Sequence, residues 1–252
     1  MSAHDDLIEA AASLILDSKK TVALTGDAIA KGAITSFNAD NRLFNKYDPE
    51  EYAHIATLQK NPARSWMLLG NTIKVIQKSE LDPAYLLLAE LEKKGLLATI
   101  ITNNFDNRHQ VAGSRNVIEL QGNIMNLSCM NCNEKYSATE VSIEELPPRC
   151  KCGGVLRPDA VLFGEKITFE AVVKTREEVE NCELMLVIGT GELMQPVASM
   201  PLIANENGAK IIEINPEKTI LTFIADIFIE GTPSEILGEI VKWIENNTEL
   251  NV

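Results

Sequence analysis

The sequence predicts an α/β protein: a doubly wound parallel sheet with helices on both faces, interrupted by a small cysteine-stapled insertion. Three observations predict it. Short β-branched runs alternate with longer segments of helical spacing, the rhythm of βαβ crossovers. Several of these runs end in Gly, Thr or Asn, small and polar residues at the place where strands of an open sheet meet a ligand. Two cysteine pairs bracket a polar, turn-rich stretch that has no long apolar element of its own.

Taken in order, Asp5 and Asp6 cap a first helix that carries Leu7, Ala11, Leu14 and Ile15 on one face. Residues 20–25 form a β-branched run ending at Gly26, a strand leading into a ligand-facing turn. Residues 27–48 are polar and irregular. Helices are expected over 49–58, 62–77 and 83–94, each opened by a proline whose missing N–H costs nothing in the first turn. Strands are expected at 97–102, 116–120, 184–190 and 209–214, with a helix opened by Pro196 between the last two. A final helix over 233–246 places Ile236, Ile240, Trp243 and Ile244 on one face.

The 252 residues suffice for one large domain or two small ones. Lys+Arg number 23 and Asp+Glu 36, a formal net charge of −13. That excess of carboxylates argues against nucleic acid and against an anionic membrane as partners. No apolar run reaches the ~18 residues of a membrane span. The N-terminal residues lack the positive flank of a signal peptide, so a cytoplasmic location is expected, where five cysteines serve something other than disulfides.

Cys129 and Cys132 are separated by two residues, Cys150 and Cys152 by one, and seventeen residues lie between the pairs. Two close pairs at this distance suit a tetrahedral zinc ion, each pair turning tightly so that both thiolates face it. Gly153 and Gly154 supply the backbone freedom such a knuckle needs. Four thiolates leave no open coordination position, so the zinc is expected to be structural. Cys182 stands apart and is expected in the core.

At the expected carboxyl ends of the strands stand Gly26-Asp27-Ala28, Asn103-Asn104-Phe105-Asp106, Gly189-Thr190-Gly191 and Asn215. These residues, together with 23–28, the run from His109 to Ser114, 116–122, the cysteine pairs, Leu156-Arg157-Pro158, Phe163-Gly164-Glu165, Gln195-Pro196 and Ile214-Asn215-Pro216, carry a resemblance. From roughly Leu7 to Ile244 the chain resembles the sirtuins. The resemblance implies a Rossmann-like NAD-binding domain built from 1–30, 80–125 and 156–252. Its small domain would comprise a helical insertion at 31–79 and a zinc-ribbon insertion at 126–155. It implies transfer of an acyl group from a lysine side chain to the ADP-ribose of NAD, with release of nicotinamide. Matched position by position, NAD contacts fall on Gly26, Asp27, Ala28, Phe37, Asn103, Gly189, Thr190 and Asn215, with Asn104 and Asp106 at the ribose and nicotinamide. The acyl-lysine peptide would pair along a strand at 161–165, through Val161, Phe163 and Gly164.

The departures from the family fall on the chemistry. Its usual Gly-Ala-Gly-Ile-Ser is Gly26-Asp27-Ala28-Ile29-Ala30 here, which sets a carboxylate beside the expected pyrophosphate. Two like charges about 4 Å apart cost up to ~4 kcal/mol at an effective dielectric of 20. In Ala33-Ile34-Thr35-Ser36-Phe37-Asn38 the phenylalanine of the family persists, but Asn38 replaces its arginine. Leu120-Gln121-Gly122 replaces Leu-His-Gly, and the missing histidine is the general base. Glutamine cannot take a proton near neutral pH, and a positioned base contributes roughly 10²–10⁴ in rate. His109 lies in a motif where active members also carry a histidine, so a structural role is expected; His4 and His54 fall on expected helices and are expected to be exposed. Leu69 and Thr72 stand where a Tyr-Arg pair would read acidic acyl groups, so no acidic-acyl preference is expected. The sequence therefore predicts a zinc-stapled, sirtuin-like protein that holds NAD weakly, has little or no deacetylase activity and acts through what it binds. Two alternatives stay open: an NAD-consuming enzyme by ADP-ribosyl transfer or residual deacylation, and a binding module for an adenosine-bearing or acyl-peptide ligand.

Overall fold

A computed structural model describes residues 2–30, 43, 46–191 and 195–248. Its centre is a six-stranded, wholly parallel sheet made of β1 (Thr21–Thr25), β2 (Thr99–Thr102), β3 (Val117–Glu119), β7 (Leu184–Ile188), β8 (Lys210–Asn215) and β9 (Ile227–Glu230). The order β3-β2-β1-β7-β8-β9 reverses direction beside β1, which makes the crevice between β1 and β7 the topological switch point of a Rossmann-like sheet.

Strand alternation explains why both faces are covered. Ala23, Leu184, Leu186 and Ile188 point to one core, shared with α1 (Ala3–Asp17), α5 (Pro83–Lys93) and α9 (Pro233–Thr248). Val22, Leu24, Met185 and Val187 point to the other, shared with α7 (Phe169–Glu180) and α8 (Met200–Glu206). All five residues of β1 and of β7 are buried; β7 and the middle of β1 are wholly apolar, and β1 carries polar residues only at its ends, Thr21 and Thr25.

The third core belongs to a three-stranded antiparallel sheet of β4 (Gly122–Cys129), β5 (Lys135–Ser137) and β6 (Leu156–Ala160). Helix α4 (Pro62–Lys78) packs onto it through Trp66, Leu69 and Ile73, and Trp66 Nε1 donates to Leu156 O at 2.8 Å. Strand pairing thus draws 122–125 and 156–160, which the expected boundaries placed with the large domain, into the small sheet.

Several elements differ from expectation for physical reasons. The helix expected over 49–58 is two: α2 (Pro49–Tyr52) and α3 (Ile55–Lys60). Ala53 O accepts from Phe163 N–H at 3.0 Å and Ile55 N–H donates to Phe163 O at 2.9 Å, so a tertiary pairing interrupts the helical ladder. His54 caps α3 by accepting the Ala56 N–H on Nδ1 and is half-buried, not exposed. The strand expected at 161–165 is absent. The strand is β6, and beyond it only Phe163 forms an isolated parallel bridge, to His54. β7 stops at Ile188 because Gly189 turns to φ +56°. The segment after Pro196 begins as a 3-10 turn, Val197–Ser199, before α8. Phe37, Asn38 and the residues around them lie outside the described residues.

Candidate active site

At the switch point two backbones touch. Gly26 donates its N–H to Ile188 O at 3.1 Å, and Ala28 donates to Gly189 O at 2.8 Å. A Cβ on Gly26 would stand 2.7 Å from Gly189 O, and one on Gly189 would stand 2.2 Å from Ile29 N. Only glycine permits this approach. Asp27 opens the 3-10 turn Asp27–Ile29, half-buried, with Oδ1 3.4 Å from where a Cβ on Gly191 would lie. Its carboxylate therefore lies in the seam between the two loops.

The end of β2 supplies a buried polar layer beneath that seam. Asn103 N–H bonds Thr25 O at 3.0 Å, which carries the β1–β2 ladder one residue beyond Thr102. Thr25 Oγ1 donates to Thr102 Oγ1 at 2.9 Å, and Thr102 Oγ1 also accepts the Asn104 N–H at 3.1 Å. Asn104 Nδ2 donates to Gly26 O at 3.0 Å, and Asn104 Oδ1 is buried with no hydrogen-bond partner among the described residues. Thr190 Oγ1 beyond β7 and Asn215 Oδ1 at the end of β8 are buried and unpartnered as well. Buried Glu213 accepts from Thr219 and Thr222 and so fixes the turn that follows Asn215.

Asp106 and His109 sit deeper. Burial pushes the Asp106 carboxyl up to about 6, against the pull of the Arg108 N–H and charge and of the Tyr85 hydroxyl. Burial pushes His109 down to about 3, so it is neutral at physiological pH. Because Thr25 donates to Thr102, the hydrogen-bond network assigns the proton to His109 Nε2, 2.9 Å from Thr25 Oγ1. Its ring is packed edge-on against Tyr85, with centroids 4.8 Å apart, and Nδ1 is buried. His109 thus packs into the floor of the site, between Thr25 and Tyr85.

Gln121 follows β3. Its Nε2 donates to Asn103 Oδ1 at 3.2 Å, and its carbonyl accepts the Val161 N–H at 2.8 Å. The main-chain carbonyl of Gln121 thus ties the end of the large sheet to the 161–165 segment, while its side-chain amide reaches back to Asn103. That segment is held in turn: Gly164, at φ +84°, lies where a Cβ would be 2.7 Å from His54 Cε1, and Arg157 grips Glu165 with two bonds of 2.8 and 2.7 Å. Glu119, on β3, is raised to about 7 by burial; Asn123 Nδ2 donates to it at 2.7 Å. A groove of about 810 Å³ along the outer edge of β3 reaches Glu119 and Asn123 but none of the residues at the switch point.

Gly26, Asp27, Ala28, Asn103, Asn104, Gly189, Thr190 and Asn215 thus meet along one sheet edge, with Gln121 and Val161 at its flank. Thr25, Thr102, Tyr85, Arg108 and Glu119 belong to the same network. Thr25 and Thr102 are the polar last residues of β-branched runs and open the ligand-facing strand ends in the sequence, whereas Tyr85 and Arg108 carry no such signal.

The cysteines form a separate site. Sγ of Cys129 and Cys152 are 3.5 Å apart, those of Cys132 and Cys150 are 3.6 Å apart, and all four lie within 4.8 Å of one another. Zn–S bonds of about 2.3 Å in a tetrahedron require S···S distances of roughly 3.8 Å, so the donor set fits zinc. Asn131 N–H points at Cys129 Sγ, and Tyr136 OH lies 3.2 Å from Cys150 Sγ. Cys182 is buried as expected, its thiol pushed up to about 11 by burial.

The Sir2 family model matches residues 27–196. The chain belongs to the Sir2 family. An NAD-dependent protein deacylase of Pyrococcus abyssi is 38% identical to this Sir2 protein over 242 residues, spanning 93% of this chain and 97% of that one. A crystal structure of a Sir2 homolog–NAD complex matches with TM-score 0.85 at 37% identity, over 95% of this chain and 94% of the other. Sir2Af2 bound to a myristoylated histone peptide matches with TM-score 0.79 at 34% identity, over 97% and 99%. Sir2 proteins use NAD, and the clustered cysteines are those of a structural zinc site. Among the described residues, no helix is long and apolar enough to cross a membrane.

Proposed function

We propose that this Sir2 protein engages NAD and an acyl-lysine peptide but transfers the acyl group slowly or not at all. The observation that carries the reading is Gln121, whose side-chain amide is committed to Asn103 where a proton acceptor is required. Neutral His109 cannot replace it, because its Nε2 serves Thr25 and its Nδ1 is enclosed. Three buried atoms at these strand ends with no partner among the described residues, Asn104 Oδ1, Thr190 Oγ1 and Asn215 Oδ1, support retained binding of a ligand rich in hydroxyl donors. NAD supplies the ADP-ribose that accepts an acyl group as nicotinamide leaves. Asn104 and Asp106 would hold its ribose and nicotinamide end, Asn215 and Thr190 its adenosine side, and Gly26 and Gly189 would admit the backbone beside it. Phe37 is proposed for the same cofactor. Val161, Phe163 and Gly164 would receive the peptide, and Leu69 and Thr72, both buried, offer no cation to an acidic acyl group. Asp27 in the seam weakens the pyrophosphate contact.

Calorimetric titration with NAD and with ADP-ribose, followed by assays of nicotinamide release and acetyl-lysine peptide deacetylation, tests this. Binding is expected with deacetylation lower by roughly 10²–10⁴ than a positioned base would give. At limiting NAD, Gln121→His alone should restore little, because Asp27, Ala28 and Asn38 still weaken the hold on the cofactor, and Gln121→His with Asp27→Ala should restore substantially more. Robust deacetylation by the unmodified protein, or full recovery from Gln121→His alone, would remove this reading. The second reading, ADP-ribosyl transfer, draws on the intact Asn104–Asp106 layer, and stoichiometric nicotinamide release without deacetylation would favour it.

A further inference from the structure

Arg108 is buried, and its guanidinium ends in main chain. Nη1 donates to Glu80 O at 2.7 Å, and Nη2 donates to Ile76 O at 2.9 Å, to Ser79 O at 3.1 Å and to Ser79 Oγ. These acceptors lie at and just beyond the C-terminal end of α4, where helix carbonyls lack intrahelical partners and favour a cation. The other edge of the guanidinium faces Asp106. Among the described residues, buried Arg108 Nε has no hydrogen-bond partner; it stands 3.9 Å from Asp106 Oδ2, while the Arg108 N–H bonds Oδ1 of the same carboxylate at 3.1 Å.

We infer that Arg108 is a positioning residue for Asp106: anchored on the end of α4, it holds the Asp106 carboxylate charged and oriented at the floor of the site. The inference rests on the proposed cofactor-facing role of Asp106. Three groups bear on that carboxylate. Tyr85 OH, from α5, donates to Oδ2 at 3.3 Å. Glu119, from β3, is raised to about 7 by burial and, less, by the Asp106 charge, so it is largely protonated where Asp106 titrates. Arg108, from the short α6 (Arg108–Val111), is the cation among them. Neutral His109 lies against the Tyr85 ring. A buried carboxylate beside a second carboxyl group favours its protonated form unless a cation opposes it, and a guanidinium keeps its charge at any relevant pH. Because the same guanidinium caps α4, the register of the helical segment and the state of Asp106 are set by one side chain.

Carbon-13 NMR of the Asp106 carboxyl, titrated in the zinc-loaded protein without NAD, reads this directly. In Arg108→Met the midpoint should rise by at least one pH unit, a tenfold gain in proton affinity. Arg108→Lys, which keeps the charge without the fork, should recover more than half of that shift, and it provides the reading if Arg108→Met fails to fold. An unchanged midpoint in folded Arg108→Met, or an Arg108→Lys protein that titrates like Arg108→Met or lies a full unit above the unmodified protein, would overturn the inference. ADP-ribose affinity across the same pH range reports separately on the cofactor reading. With that reading intact, the acid limb of binding moves up with the Asp106 midpoint. If ADP-ribose does not bind at all, the cofactor role fails while the carboxyl shift still decides the role of Arg108.

Discussion

His109 illustrates how a single buried side chain ties stability to pH. In the unfolded chain an imidazole takes up its proton near 6.5, whereas burial in the floor of the site delays this to about 3. The stability that neutral His109 contributes is complete above pH 6.5 and is lost as pH falls toward 3. Between pH 7 and pH 5 the loss is about 2 kcal/mol. Asp106 and Glu119 act in the opposite sense, because burial raises both, to about 6 and about 7, so folding takes up protons there and gains stability as pH falls. The comparison that isolates His109 is urea unfolding of the unmodified protein and of His109→Gln at both pH values. The variant should lose about 2 kcal/mol less on acidification; equal losses would show that His109 is not held neutral. At this scale much of the site was legible. Asn104, Asp106, Gln121 and Asn215 stand in short motifs that the chain presents consecutively. Tyr85 and Arg108 were not, because their importance arises from contacts across 21 and about 30 positions of sequence, which no local pattern encodes.

The zinc ribbon is the element on which the small core depends. Cys129 and Cys150 are buried among Trp66, Leu127 and Leu156, with Tyr136 and Val141 packed against them, so the thiols are part of the core as well as a ligand set. Removing the metal leaves four clustered thiols and a 129–152 segment with little secondary structure of its own. Zinc analysis should give about one ion per chain, and chelation or Cys132→Ser should cost more than about 3 kcal/mol. Tryptophan fluorescence should report the loss through Trp66, and an unchanged unfolding midpoint after verified zinc removal would contradict it. The ribbon was readable because thiolate coordination imposes spacing on the sequence. The two-part helix at 49–60 was not, since its break follows from pairing with Phe163, more than a hundred positions away. Helix α7 was missed for another reason: only Thr175 and Val179 of its twelve residues are buried, which leaves almost no apolar stripe. Strand β9 is four residues long and at the sheet edge, too short for alternation to declare it.

At the scale of the molecule, one residue joins the parallel sheet to the antiparallel one. Gly122 begins β4 immediately after Gln121, at φ +67°, and pairs with Ala160 of β6. A Cβ there would stand 2.1 Å from Asp159 O, a main-chain atom that cannot move without carrying β6 with it. Gly95 has the same backbone handedness, φ +75°, but nothing lies within 4 Å of its Cβ position. The two positions therefore separate backbone strain from close approach. Gly95→Ala should cost about 1–2 kcal/mol, the left-handed penalty alone. Gly122→Ala adds displacement of β6 and of the Val161 N–H that bonds Gln121 O, so it should cost clearly more than Gly95→Ala and weaken acetyl-lysine peptide binding. Zinc content should be unchanged, because Cys129 lies at the far end of β4. Equal stability of the two variants would mean that β4 and β6 do not approach as closely as described. Loss of peptide binding with zinc retained would place the coupling between the two sheets at Gly122 itself, next to Gln121.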